Sequence, residues 1–178
     1  LWDKEDLDIT DEKMVYAKLQ ELKPDIVINA AAYNAVDKCE DKTEFELAKK
    51  INGDAVGYLA DACLENNATL VHFSTNYVFD GKSKPRQIQR GRGKDGYDED
   101  SEPNPISKYG QSKLIGEQEV LKRGKLKYYL IRTSKLFGQK GISDVTKSSF
   151  FDTMLKLSET KNEIKVVDDE LSNFTYAP

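Results

Sequence analysis

The chain has 178 residues, a formal net charge of −4, 38% apolar residues and 33% charged residues. That composition suits a soluble globular domain with a real core, and it gives no footing for a nucleic-acid surface or an anionic membrane partner. Two cysteines, Cys39 and Cys63, lie outside any C-x-x-C pattern and the single histidine is His72, so a zinc centre with about four Cys or His ligands fails on count and no metal site is assigned. No apolar run approaches the roughly 20 residues of a membrane span and no signal peptide is visible. The expectation is a cytoplasmic protein with reduced thiols. Leu1-Trp2-Asp3 at one end and Thr175-Tyr176-Ala177-Pro178 at the other read as cuts through a longer chain.

In chain order, Thr10 is the expected N-cap of a first helix, with Asp11 and Glu12 in its first turn and Val15, Leu19 and Leu22 along one face. Lys23-Pro24-Asp25 ends it. Ile26-Val27-Ile28 is a short apolar run that reads as a strand buried on both faces. After the small-residue stretch Asn29-Ala30-Ala31-Ala32-Tyr33, apolar spacing predicts one long helix over residues 43–65. Further strands are expected at residues 70–75, 128–132 and 164–167, and further helices at 106–121 and 150–157. Alternation of this kind calls for a parallel sheet layered with helices. Residues 80–105 are the one long irregular stretch, basic at first and then acidic, to be read as a solvated excursion or as a lid over the site.

Ligands in open α/β sheets bind beyond the carboxyl ends of the strands, which singles out three segments. Ala30 and Ala31 leave room for close backbone approach, though a tight strand-to-loop passage needs the same residues. Ser74 and Thr75 place two hydroxyls at a strand end, where one could polarise a carbonyl, or could simply bond the local backbone. Tyr109 and Lys113, spaced i, i+4, share a helical face. A phenol titrates near ~10, and a neighbouring ammonium would bring it down toward useful acid–base work. A solvated helix face is the plain alternative, since Y-x-x-x-K is a common spacing. His72 reads as core, Trp2 as uninformative, and Tyr128-Tyr129 as sheet packing.

Taken together, these residues resemble a known family. Leu7-Asp8-Ile9-Thr10-Asp11, Asp25 through Tyr33 continuing to Glu40, Ser74 through Gly81, Pro103 through Glu117, Arg132-Thr133-Ser134 and Val166-Val167-Asp168-Asp169 follow, in order, the pattern of the extended short-chain dehydrogenase/reductases, and among them the dTDP-4-dehydrorhamnose reductases. The resemblance implies an α/β, Rossmann-like doubly wound parallel sheet, incomplete here. The first strand and the Gly-rich phosphate loop that should precede Asp8 are absent from this chain, and the substrate region starts only near residues 165–178. It implies reduction of a nucleotide-sugar C4 ketone with NADPH or NADH. Thr75, Tyr109 and Lys113 would be the catalytic triad, with Tyr109 protonating the oxygen. Asp8, Ile9, Ala30, Ala31, Tyr33 and Asn52, with Tyr109 and Lys113, would meet the cofactor. Val36, Asp37, Thr75 and Asn76 would lie toward the substrate.

The chain departs from the family pattern in two further places. Asn76 stands where an Asp is usual, and Lys135 where a Trp is common. The first removes a carboxylate from any proton relay, the second an aromatic contact. Without the phosphate loop, this stretch by itself is expected to bind cofactor poorly and to be inactive. A sugar-nucleotide dehydratase is disfavoured because Asn76-Tyr77 replaces the Asp-Glu that elimination uses. Other nucleotide-sugar epimerases or reductases, and a non-catalytic cofactor-binding subunit like the beta subunit of methionine adenosyltransferase, remain as alternatives. The sequence leaves open the choice of NADPH or NADH, a Mg2+ requirement, and a homodimeric state.

Overall fold

A computed structural model describes residues 2–82, 96–139, 148–167 and 172–177. The chain divides into two compact units, Leu1–Arg132 and Thr133–Pro178. The basic part of the expected excursion, residues 83–95, lies outside the described residues, as do Asp168 and Asp169 of the last family match.

The first unit opens with helix α1 (Glu12–Leu22). Its cap is Asp11 rather than Thr10: the Asp11 carboxylate accepts from the Met14 amide at 3.1 Å, while the Thr10 hydroxyl donates to Asp8 Oδ1 at 2.8 Å. Lys23, in the left-handed region at φ 45°, closes the helix ahead of Pro24. Strand β1 (Ile26–Asn29) then pairs in parallel with β2 (Thr69–Thr75), in register from Ile26 with Thr69 to Asn29 with His72.

The long helix expected between them is broken. It forms α2 (Lys42–Lys49), a π-helical turn (Lys50–Asp54) and α3 (Ala55–Glu65). Helix α4 (Lys108–Leu121) starts where Ser107 accepts from the Gly110 amide at 3.0 Å, and β3 (Lys127–Thr133) follows. The sheet order is β1-β2-β3, so the expected alternation of strands and helices is present.

The core lies on one face of this sheet. Val15 and Leu19 of α1, Val56, Leu59, Ala60 and Cys63 of α3, Leu70 of β2 and Val120 of α4 form one buried cluster. The other face differs from expectation. Ile26 and Ile28 are 58% and 66% exposed, so β1 is buried on one face only. Among the described residues it is an edge strand, and no helix covers the side that Ile26 and Ile28 share with Tyr129 and Ile131.

In the second unit, β4 (Leu136–Gly138) pairs in parallel with β5 (Thr175–Ala177). Helix α5 (Phe150–Thr160) opens with a reciprocal capping box between Ser149 and Asp152. The strand expected at 164–167 is absent: these residues have no regular structure, and Val166 and Val167 stand exposed with no paired neighbour in either sheet. Alternating Ile and Val favour a strand only where another strand supplies the ladder. Among the described residues no helix is long and apolar enough to cross a membrane, and no group of His, Cys, Asp or Glu could hold a metal ion.

Candidate active site

The site forms where the end of β2 meets the start of α4. Beyond Thr75 the chain makes a tight 3₁₀ turn (Asn76–Val78), with the Tyr77 amide donating to Thr75 Oγ1 at 3.2 Å. The segment that leads back into α4 is tied to this turn. Asn104 donates from its backbone to the Val78 carbonyl at 2.9 Å and from its side chain to Asp80 at 2.9 Å. Tyr97 donates to the same Asp80 carboxylate at 2.5 Å and stacks on Phe79 at 4.1 Å. These donors hold Asp80 at about 2. The described part of the expected excursion, residues 96–105, is therefore anchored to the rim of the site.

Helix α4 reaches the turn because of Gly110. A Cβ there would fall 2.2 Å from the Tyr77 carbonyl oxygen, so only glycine lets the two backbones approach. The contact sets Tyr109 edge-on to Tyr77, with ring centroids 5.6 Å apart. It also brings Tyr109 within hydrogen-bond reach of Thr75. One turn on, the Lys113 ammonium is buried and donates to the Phe73 carbonyl at 2.7 Å. Burial draws Lys113 down to about 8, against the pull of the Glu117 carboxylate. The Tyr109 phenol moves the other way from the sequence expectation. Burial pushes it above its ordinary value, the hydrogen bond with Thr75 opposes that, and Lys113 is not among the charges acting on it.

The π-helical turn places Asn52, which is fully buried. Asn52 accepts from the Tyr33 amide at 2.9 Å and donates to the Tyr33 carbonyl at 3.1 Å and to Ser112 Oγ at 2.9 Å. Ser112 in turn donates to the Tyr109 carbonyl at 2.7 Å. The amide is thus spent on the loop after β1 and on α4. Gly116 makes this approach feasible, since a Cβ there would lie 2.1 Å from the Asn52 carbonyl oxygen.

The other candidate residues are more spread out. Ala30 and Ala31 are exposed at the carboxyl end of β1, where Asn29 Oδ1 accepts from the Ala31 amide at 3.1 Å. The Tyr33 phenol donates to Glu44 and is pushed up to about 12. Val36 is half-buried and Asp37 exposed at the start of the 3₁₀ turn Asp37–Glu40. Asp8 is occupied by Thr10, whose amide and hydroxyl hold its carboxyl below the usual range; Ile9 beside it is half-buried. Asn76 is half-buried, 3.4 Å from the Thr75 hydroxyl. Lys135 belongs to the second unit, where its ammonium lies 5.3 Å from the centre of the Phe150 ring. Cys39 and Cys63 are free and buried, and burial pushes the Cys63 thiol up to about 12.

Sequence reasoning did not single out Glu117 and Arg132. Glu117 is fully buried, accepts from Ser74 Oγ at 2.5 Å, and pairs with Arg132 at 2.7 and 3.0 Å. The signal available was the repeat of the i, i+4 spacing from Tyr109 through Lys113 to Glu117, which puts a carboxylate on the same buried stripe.

The whole chain, residues 1–178, matches the family model described as the RmlD substrate binding domain. It is 37% identical to dTDP-4-dehydrorhamnose reductase of Aggregatibacter actinomycetemcomitans over 98% of its length and 53% of that protein's. It is 38% identical to the spore coat polysaccharide biosynthesis protein SpsK of Bacillus subtilis, over 97% and 54% of the respective chains. The solved dTDP-4-dehydrorhamnose reductase of Bacillus anthracis, in complex with NADP, superposes with a TM-score of 0.82 at 40% identity, over 98% of this chain and 56% of that one. The match gives the α/β architecture its expected Rossmann-like class. The chain spans about half the length of these relatives.

Proposed function

The chain belongs to the RmlD substrate-binding-domain family, and from that premise we propose that its protein reduces the C4 keto group of dTDP-4-dehydro-L-rhamnose to dTDP-L-rhamnose, using NADPH or NADH. The observation that carries this reading is the Lys113 ammonium, buried and donating to the Phe73 carbonyl two residues before Thr75, with Tyr109 one helical turn before it on α4. The loop after β1 fits a cofactor: it presents two alanines to solvent and is pinned from behind by Asn52. When bound, the nicotinamide supplies the hydride to the carbonyl carbon.

The chain's own residues handle the oxygen. Thr75 and Tyr109 hold the carbonyl, and Tyr109 gives up its proton as the new C–H bond forms, so no free alkoxide appears. Burial keeps the phenol protonated at neutral pH, which is the form a reduction needs. Lys113, one helical turn further on, would meet the cofactor, and solvent returns the proton to the phenolate left behind.

The test follows NADPH and NADH oxidation with dTDP-4-dehydrorhamnose, using protein expressed from the intact reading frame. Wild type should turn over, and Tyr109→Phe should lose on the order of 10²–10⁴-fold in rate. No turnover by a folded protein that still binds cofactor would reject this substrate. It would point first to other keto-sugars and then to a regulatory cofactor-binding subunit.

A further inference from the structure

We propose that Glu117 is a positioning residue for the Thr75–Tyr109–Lys113 site, clamping the end of β2 and the side chain of Arg132 on β3 against α4. The inference rests on the reductase reading for its meaning in catalysis, but its geometry stands apart from it. Ser74 hydrogen-bonds Glu117 at 2.5 Å, the neighbouring Phe73 carbonyl receives Lys113 at 2.7 Å, and Thr75 follows directly. Two successive residues of β2, Phe73 and Ser74, are therefore tied to side chains one turn apart on α4, and Thr75 is the next residue. Arg132 closes the clamp with two bonds to the Glu117 carboxylate.

The clamp continues outward. The Arg132 guanidinium lies 5.0 Å from the centre of the Phe79 ring, and Phe79 stacks on Tyr97. The rim segment that carries Asp80 and Tyr97 is thus set against the same guanidinium that pairs with Glu117.

A fully buried carboxylate is costly unless it is paired, and removing one partner leaves the others uncompensated. Here the nearby charge that matters for chemistry is Lys113. The other titratable or charged groups around the pair are Arg132 on β3, His72 on β2 and Tyr109 on α4. Of these, His72 is held neutral at about 3 by burial and by the charge of Lys113. Glu117 pulls Lys113 toward its charged form against burial. Its loss should make Lys113 give up its proton more easily, so that the site loses that positive charge at a lower pH.

The test compares wild type, Glu117→Gln and the double variant Glu117→Gln/Arg132→Met, each from the intact reading frame. Lys113 is titrated by NMR of [13Cε]lysine, assigned with Lys113→Arg, a readout that needs no substrate. The proposal expects the Lys113 midpoint to fall by about one pH unit or more in Glu117→Gln. It also expects kcat to fall about tenfold or more, with KM little changed and a wild-type circular dichroism spectrum. A folded Glu117→Gln with an unmoved Lys113 midpoint overturns it. If the single variant does not fold, the double variant, which removes both halves of the Glu117–Arg132 pair, decides on the same midpoint. Absence of turnover in the wild type bears on the reductase reading alone, and the titration then decides for Glu117.

Discussion

His72 accepts a hydrogen bond from the Asn29 amide at Nδ1, 3.1 Å away, and burial together with the charge of Lys113 holds it near 3 rather than its ordinary 6.5. Between those values the unfolded chain binds a proton and the folded chain does not. The contribution of His72 to stability is therefore constant above pH 6.5 and is lost as the pH falls from 6.5 toward 3. At pH 5 the loss is about 2 kcal/mol. His72→Gln, which keeps an acceptor for Asn29, should lose less stability than wild type, by that amount, when urea midpoints at pH 7.5 and pH 5 are compared. Equal acid losses in the two proteins would refute the account. Residues of this kind separate what a sequence shows from what it hides. Tyr109 and Lys113 were legible because i, i+4 spacing on one helix is a local fact. Glu117 was not, because its partners Ser74 and Arg132 come from two other elements, and only the fold brings them together. The direction of the Tyr109 shift was hidden for the same reason: it depends on how deeply the turn after β2 buries the ring.

The π-helical turn, α3 and α4 pack through glycines. Gly to Ala in a helix interior ordinarily stabilises by up to about 1 kcal/mol. At Gly116 the new methyl would lie 2.1 Å from the Asn52 carbonyl oxygen, so the sign reverses. Gly116→Ala should destabilise by about 1–3 kcal/mol and weaken the Asn52–Ser112 link. Gly124, with nothing within 4 Å of a built Cβ, is the control, and Gly124→Ala should stay within about 0.5 kcal/mol of wild type in urea denaturation. The helices themselves were readable from apolar periodicity, and β2 and β3 from β-branched and aromatic runs. The break at Lys50–Asp54 was not, since the apolar spacing carries through it. The false strand at 164–167 has the converse cause: its Ile-Lys-Val-Val pattern is strand-like, but a strand also needs a partner, and sequence does not name one.

Over the whole molecule, burial is uneven. The cluster built on α1, α3, β2 and α4 is closed to solvent, whereas α5 in the second unit buries no residue, and Phe150 and Leu155 on it are 44% and 65% exposed. Amide hydrogen exchange of the 178-residue chain should accordingly protect α3 and β2 most, and leave α5 exchanging on the order of tenfold faster or more. Equal protection across both units would contradict the burial pattern. The fold class was legible from the alternation of strands and helices. The division at Arg132 was not, because β3 runs across it without a change of composition. The π-helical turn has a consequence at this scale. It holds one residue more than an α-helical path would, and so sets the phase between everything before Lys50 and everything after Asp54. Deleting any one residue there would let α2 and α3 run on as a single regular helix, with α2 turned by about 100°. The chain could then keep its helical phase or the pairing of β1 with β2, but not both. In this stretch the count of residues specifies the candidate site as much as their identity does.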